Sequence, residues 1–412
     1  MHRLGRVRTP LARLALACAL ILASGCSKES SSTPSGSSGS PGSSGGANAA
    51  GTGPILVGEF GSMTGSEANF GKSTHNGLML AVEEQNAKGG IKGRKIEVRS
   101  YDDQGKAQEA GTAVTRLIDS DKVLAIIGEV ASSLSIAGGD VAQRKGIPMI
   151  SPSSTAPEVT QDRDMVFRVC FIDPFQGYVV AKFAADNLKA KKVAILFDQA
   201  QAYSVGLADQ FKKHFKALGG TITTEQAFSG GDQDFSAQLN TIRGTNPDAI
   251  FIPGYYTEAA NIALQVKKLG IKATLLGGDG WDSPQLAQIG KDAVEGAYYS
   301  NHYTHEDKSP AVQEFVTKYE AKYKTDEGTP LVPDGIAALG YDAGRILFDA
   351  MERAKALDGK DLAAAIAATK AFKGVTGTIT IDKDRNATKS AVVVKMTGGV
   401  PRYAATIEPP KQ

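Results

Sequence analysis

From residue 55 onward, short apolar runs alternate with stretches whose apolar positions recur every three or four residues. The runs fall at 55–57, 96–98, 123–127, 193–197, 249–252 and 274–276. Each is continuous rather than alternating, the pattern of strands buried on both faces of a parallel sheet. Between them, Ala107, Ala110, Val114, Leu117 and Ile118, and later Val179, Val180, Phe183, Ala184 and Leu188, follow the helical period. Strand and helix in alternation predict repeated βαβ units. One such series spans about 54–172 and a second about 173–300. A helix-rich segment follows, carrying Phe315, Tyr319, Ile336, Leu339, Ala343, Ile346, Leu347 and Ala350. The expected fold class is α/β, with two doubly wound, Rossmann-like lobes.

The N-terminus follows a different pattern. Arg3, Arg6, Arg8 and Arg13 stand without an acid, and an apolar stretch from Leu14 to Ala23 runs into Ser24, Gly25 and Cys26. That stretch is shorter than the roughly 20 residues of a permanent span, and basic-then-apolar order is that of a secretory signal. Small residues directly before Cys26 are similar to the lipobox of bacterial lipoproteins, which would make Cys26 the acylated first residue of the mature chain; an ordinary signal with an incidental cysteine is the other reading. Residues 27–53 are almost entirely Ser, Gly, Pro, Thr, Ala and Asn. Such a composition buries no apolar surface and serves as a flexible tether, with a span of roughly 30 Å.

Of three cysteines, Cys18 lies in the signal and Cys26 at its end, so Cys170 alone remains in the body and no internal disulfide is possible there. Packing is the expected role of Cys170, and reactivity the alternative. The formal charge of +2 includes four arginines of the signal. Without them 42 bases face 44 acids, a net of −2, and nothing points to nucleic acid.

Open parallel sheets bind ligands beyond the carboxyl ends of their strands. The segments there are Gly61 to Gly65 with Phe70 and Gly71, then Gly128 to Ser133, then Ser151 to Glu158. Hydroxyls of Ser132, Ser133, Ser153, Ser154 and Thr155 beside helix N-termini could grip a carboxylate together with free backbone N–H groups. They could equally cap the helices that follow. Asp279, in an Asp-Gly dipeptide, is either a turn residue or an acid facing a ligand. Trp281 either lines a cleft mouth or packs.

The stretch Asn86 to Ile91, the strand end Tyr101-Asp102-Asp103, Ile127-Gly128, Ser151 to Glu158, Gly340 to Ala343, and Gly374 to Gly377 with Ile381-Asp382 occur in that order. Together they resemble the leucine/isoleucine/valine-binding proteins over about 55–408. The resemblance implies a type I periplasmic-binding-protein fold, its lobes joined by three hinge strands with the ligand between them. It implies that Ser132 and Thr155 grip an α-carboxylate and α-ammonium, that Ser153 contributes a backbone carbonyl, and that Asp279 faces the ammonium. Phe70, Tyr203 and Tyr255 would surround the ligand, with Ala131 in the adjoining loop. Phe70 replaces a more familiar Tyr and Asp279 a longer Glu, and the family's disulfide is absent. A zwitterion taken from water needs both charges met, and Ser132, Thr155 and Asp279 supply that set.

No G-x-G-x-x-G opens a helix after the first strand, and no G-x-S-x-G elbow or P-loop occurs. His302 and His305 with Glu306 lack a metal-site pattern, so neither metal nor cofactor is expected. The sequence therefore leads to a non-enzymatic, lipid-anchored, extracytoplasmic solute-binding protein of an ABC importer. Its partners would be a small amino acid, branched-chain aliphatic above others, and the permease subunits, and it would be a monomer. The other reading is an extracytoplasmic sensor of the same fold binding an amide or small acid. The division would be signal 1–25, lipidated cysteine and tether 26–53, one lobe from 54–172 with 301–386, and the other from 173–300 with 387–408.

Overall fold

The computed structural model describes residues 53–410; the segments expected to be an export signal and a tether, with Cys26 between them, lie outside the described residues up to residue 52. The first sheet is built from β1 (Ile55–Gly61), β2 (Ile96–Asp102), β3 (Ala125–Ile127), β4 (Met149–Ser151) and β5 (Val166–Arg168), all parallel, in the order β2-β1-β3-β4-β5. Helices α1 (Ala68–Ala87), α2 (Ala107–Asp119) and α3 (Ser132–Lys145) connect the first four. Side chains alternate across a strand. Along β1, Ile55 and Val57 therefore join the core with Leu78 of α1, whereas Phe60 points to the opposite face and joins Val114 and Leu117 of α2.

The second sheet repeats the plan. After α4 (Asp173–Asp186) come β6 (Lys192–Asp198), α5 (Ala202–Ala217), β7 (Thr221–Phe228), α6 (Ser236–Thr245), β8 (Ala249–Ile252), α7 (Tyr256–Lys268), β9 (Thr274–Gly277), α8 (Pro284–Gly290) and β10 (Tyr298–Asn301). The chain then forms α9 (Pro310–Lys322), α10 (Gly335–Arg353) and α11 (Gly359–Ala367). A small antiparallel sheet of β11 (Phe372–Gly374), β12 (Gly377–Ile381) and β13 (Ala387–Thr388) follows, and then β14 (Ala391–Thr397) and β15 (Val400–Ile407). The second sheet has the order β15-β14-β10-β9-β8-β6-β7, with β14 and β15 antiparallel at one edge.

Although late in the chain, α10 lies on the first sheet. Its Ile346, Leu347 and Phe348 share a core with Ile55, Val57 and Leu78, as do Phe315 of α9 and Ile379 of β12. Its backbone approaches α1 so closely that a Cβ on Gly77 would come within 2.0 Å of the Ala337 carbonyl oxygen. Val179 and Phe183 of α4 instead pack with Val393 and Ile407. The chain thus passes between the sheets after β5, after β10 and before β14. Among the described residues no helix is long and apolar enough to cross a membrane.

All six apolar runs are strands. The run at 123–127 is in register only from Ala125, and the run at 193–197 extends to Lys192–Asp198. Two strands at the margins of the second sheet do not appear in the hydrophobic pattern: β7 (TITTEQAF) and β15 (VPRYAATI) each have a single buried position, the rest being partly or fully exposed, as edge strands with one solvated face are.

Candidate functional site

In both sheets the strand order reverses beside the first strand, between β1 and β3 and between β6 and β8. Such reversals open a crevice between the loops that leave the strands. Here the two crevices meet in a small, tightly closed cavity lined by Val130, Ser132, Ser153, Thr155, Tyr203, Tyr255, Asp279, Gly280 and Ile336. Six of the eight ligand residues expected from the sequence are among them, drawn from both sheets.

Ser132 is the first residue of α3, where backbone N–H groups have no intrahelical partner. Its Oγ accepts from the Ala156 N–H at 3.2 Å, which fastens the loop carrying Thr155. Thr155 Oγ1 and Tyr255 Oη are buried without a hydrogen-bond partner on the protein. Ser133 does not cap its own helix; its Oγ accepts from the Ala202 N–H at 3.1 Å, capping α5 of the other sheet. Ser154 turns away from the cavity, its Oγ lying 3.0 Å from the Glu129 carbonyl and 2.7 Å from Ser135 Oγ. The choice between capping and gripping left by the sequence therefore resolves residue by residue.

Opposite these donors, Asp279 is buried after β9. Its Oδ1 accepts from Gln176 Nε2 at 2.7 Å, and its Oδ2 from His302 Nε2 at 2.9 Å and Ser153 Oγ at 3.2 Å. Burial alone would raise the carboxyl's pKa. The bonds from His302, Gln176 and Tyr203 outweigh it and hold the pKa below the ordinary value. Burial pushes His302 down to about 4, so its imidazole is neutral at physiological pH, and because a carboxylate only accepts, Nε2 carries the proton. His302 follows β10 and stacks on Phe171 at 3.7 Å between ring centroids, so two of the chain's crossings between sheets meet behind the acid.

The aromatic wall is a stacked pair, Tyr203 and Tyr255, with centroids 5.5 Å apart and planes 6° from parallel. Phe70 is a correction: it is fully buried one layer back, edge-on to Tyr255 at 5.5 Å and to Tyr256 at 5.0 Å, and supports the wall rather than forming it. Ala131 is likewise buried at the start of α3 and does not line the cavity. Trp281 packs: it is fully buried and donates through Nε1 to the Ile252 carbonyl at 3.0 Å. Cys170 is a buried free thiol pushed up to about 12 by burial, which leaves no nucleophilic thiolate at neutral pH.

Val130, Gly280, Ile336, Gln176 and His302 were not singled out as ligand residues. The first three are ordinary apolar or turn residues in sequence, and Gln176 and His302 act through Asp279. Among the described residues no cluster of three or more His, Cys, Asp and Glu is placed to hold a metal, and Glu306 is instead paired with Arg402 at 3.0 Å.

Fold and cavity together define a class, a two-lobed α/β protein that encloses a small polar solute between its sheets. The chain belongs to the periplasmic binding protein family, whose model matches residues 54–400. It is 34% identical to the Leu/Ile/Val-binding protein BraC3 of Rhizobium johnstonii over 79% of this chain and 89% of that protein. The crystal structure of a leucine-binding protein, LivK, from Thermotoga maritima matches with a TM-score of 0.82 and 42% identity, covering 86% of this chain and 99% of that one. LivJ of Streptococcus pneumoniae, a branched-chain amino acid transporter substrate-binding protein in complex with isoleucine, matches with a TM-score of 0.81 and 34% identity over 86% of this chain and all of its own. The family and these relatives are binding proteins rather than enzymes, and membership implies an extracytoplasmic location.

Proposed function

We propose that the protein captures a small α-amino acid with an aliphatic side chain and delivers it to the permease subunits of an ABC importer, held to the membrane by a lipid on Cys26. One observation carries the ligand class. Asp279, ionised and desolvated, faces the α3 N-terminus, Ser132 and the unpartnered Thr155 hydroxyl across a cavity that also bears an apolar wall. An ammonium would satisfy the acid, a carboxylate would take the donors, and Val130, Tyr203, Tyr255 and Ile336 would surround a branched side chain. The isoleucine bound by LivJ supports the same reading.

L-Leucine, L-isoleucine or L-valine at about 100 times Kd should add about 2.7 kcal/mol of stability by mass action. A thermal-shift series reads this directly. If none of the three raises the melting temperature while a carboxylate without an amine does, the amino-acid reading is wrong.

Anchoring is tested separately. Cys26→Ala should move the protein from the membrane fraction to the soluble one and remove the lipid mass from the mature chain, because a diacylglycerol-bearing cysteine holds far better than one acyl group. Unchanged fractionation, with no lipid mass on the wild type, would refute the anchor.

A further inference from the structure

On the far side of Ile336 from the ligand cavity, the two lobes meet at one helix N-terminus. Asp334 is the N-cap of α10 and accepts the Ala337 N–H at 2.8 Å in the ordinary way. The preceding free N–H, that of Gly335, is taken from the other lobe: Asp282, in the loop after β9, accepts it through Oδ2 at 2.5 Å. Asp282 is buried and held on its other oxygen by Tyr299 Oη at 2.9 Å. The approach is close, since a Cβ on Gly335 would lie 2.4 Å from Asn301 Oδ1 and 2.8 Å from Asp282 Oδ2. The next residue in the chain is Ile336, which lines the ligand cavity.

We propose that Asp282 is a positioning residue for ligand capture, a latch that caps α10 from the opposite lobe and so seats Ile336 against the bound side chain. The proposal rests on the binding role stated above. It has a reciprocal counterpart in Ser133, which caps α5 across the same cavity in the opposite direction.

The latch places two carboxylates at one helix end, and the groups facing them supply no free base. Asp334 meets Ser73 Oγ at 2.7 Å and Asn69 Nδ2 at 3.2 Å from α1. Tyr256, Tyr299, Tyr303 and Tyr319 stand around the pair as neutral phenols. Asp279, itself bound to His302, adds negative charge. His305 lines the adjoining cleft with its pKa lowered by burial, and Arg402 there is engaged by Glu306. Burial first, and then the charge of Asp282, raise Asp334 to about 7; burial also raises Asp282. Opening the lobes takes Asp282 away and returns the pair toward ordinary carboxyl values, so closure takes up a proton. A carboxyl raised in the closed form favours closure fully below its open-form pKa, and this advantage is lost as pH rises through about 7. In this form Asp279 is held charged and His302 neutral across that window.

The test is L-leucine titrated calorimetrically from pH 5.5 to 8, with melting curves for each variant. Wild-type affinity should fall by up to about 25-fold between pH 5.5 and 7.5, the value for one proton with a pKa about 7 in one state only. Asp282→Ala should weaken binding at every pH. Asp334→Asn, which remains a good cap, should flatten the slope, and Asp282→Asn, which keeps an acceptor but removes the second cause of Asp334's raised pKa, should reduce it. Asp282→Ala within twofold of wild type, or Asp282→Asn with the wild-type slope, overturns the proposal. If leucine does not bind the wild type, the functional reading fails instead. The latch is then judged by small-angle scattering of the ligand-free protein, in which wild type should be more compact at pH 5.5 than at 8 and Asp282→Ala should not. Identical curves for wild type at the two pH values overturn it.

Discussion

Asp279→Asn should raise the ligand's Kd by about 30- to 3,000-fold, the equivalent of roughly 2 to 5 kcal/mol for losing one member of a buried charge pair. The substitution preserves shape and removes the only ionised acid lining the cavity. Three donors, Gln176 Nε2, His302 Nε2 and Ser153 Oγ, already point at this carboxylate. They hold it charged and fixed, so the ammonium meets an acid that need not reorganise. Ser132→Ala removes one of several donors to the carboxylate and should cost less, roughly 1.5 to 3 kcal/mol. Isothermal titration with the amino acid that gives the largest thermal shift makes the comparison, alongside melting curves of the ligand-free variants. Binding by Asp279→Asn within about threefold of wild type, about 0.6 kcal/mol, would reduce Asp279 to a turn residue and end the ammonium assignment.

How legible this site was depends on how local each residue's role is. The strands that carry it are buried on both faces, so they write their position as unbroken apolar runs, and the loops at their carboxyl ends follow from topology. That reasoning reached Ser132, Ser153 and Thr155, along with Ser133 and Ser154, which serve elsewhere; Asp279 was assigned chiefly through the family resemblance. The resemblance placed Phe70 one layer too far forward, because a helix residue's depth depends on what packs over it, and here Tyr255 and Tyr256 intervene. It missed His302, Gln176 and Ile336 for a stronger reason: each matters only where segments distant in sequence meet. His302 lies 23 residues from the acid it orients and Gln176 lies 103. The edge strands β7 and β15 escaped for the opposite reason, since solvent on one face erases the apolar run.

Arg168→Met should destabilise the protein by about 3 to 5 kcal/mol, the range reached when a buried polar network is broken rather than trimmed. Arg168 ends β5 and is fully buried. Its Nη1 donates to the carbonyls of Ser154 at 2.6 Å and Ala156 at 2.8 Å, and its Nη2 to the Pro157 carbonyl at 3.2 Å and Thr160 Oγ1 at 3.1 Å. One guanidinium thus fixes the loop on either side of Thr155. Methionine would fill the stem's volume but remove the guanidinium's bonds to three carbonyls, leaving each only a longer or weaker donor from Cys170 Sγ, the Val159 N–H or the Thr160 N–H; each lost bond to the charged group costs about 1.5 to 3 kcal/mol before relaxation. Arg168→Lys keeps the charge but not the planar fork, and should fall between. Arg163→Met, which removes the partly exposed pair with Asp140 at 2.7 Å, should cost under about 1 kcal/mol and serves as the control. Urea unfolding gives the stabilities, and titration of whatever Arg168→Lys remains folded should show about tenfold weaker binding, because Thr155 then lacks a rigid backbone. If Arg168→Met unfolds within about 1 kcal/mol of wild type, the loop is held by Ser132 and its own turns, and the support assigned to Arg168 is wrong.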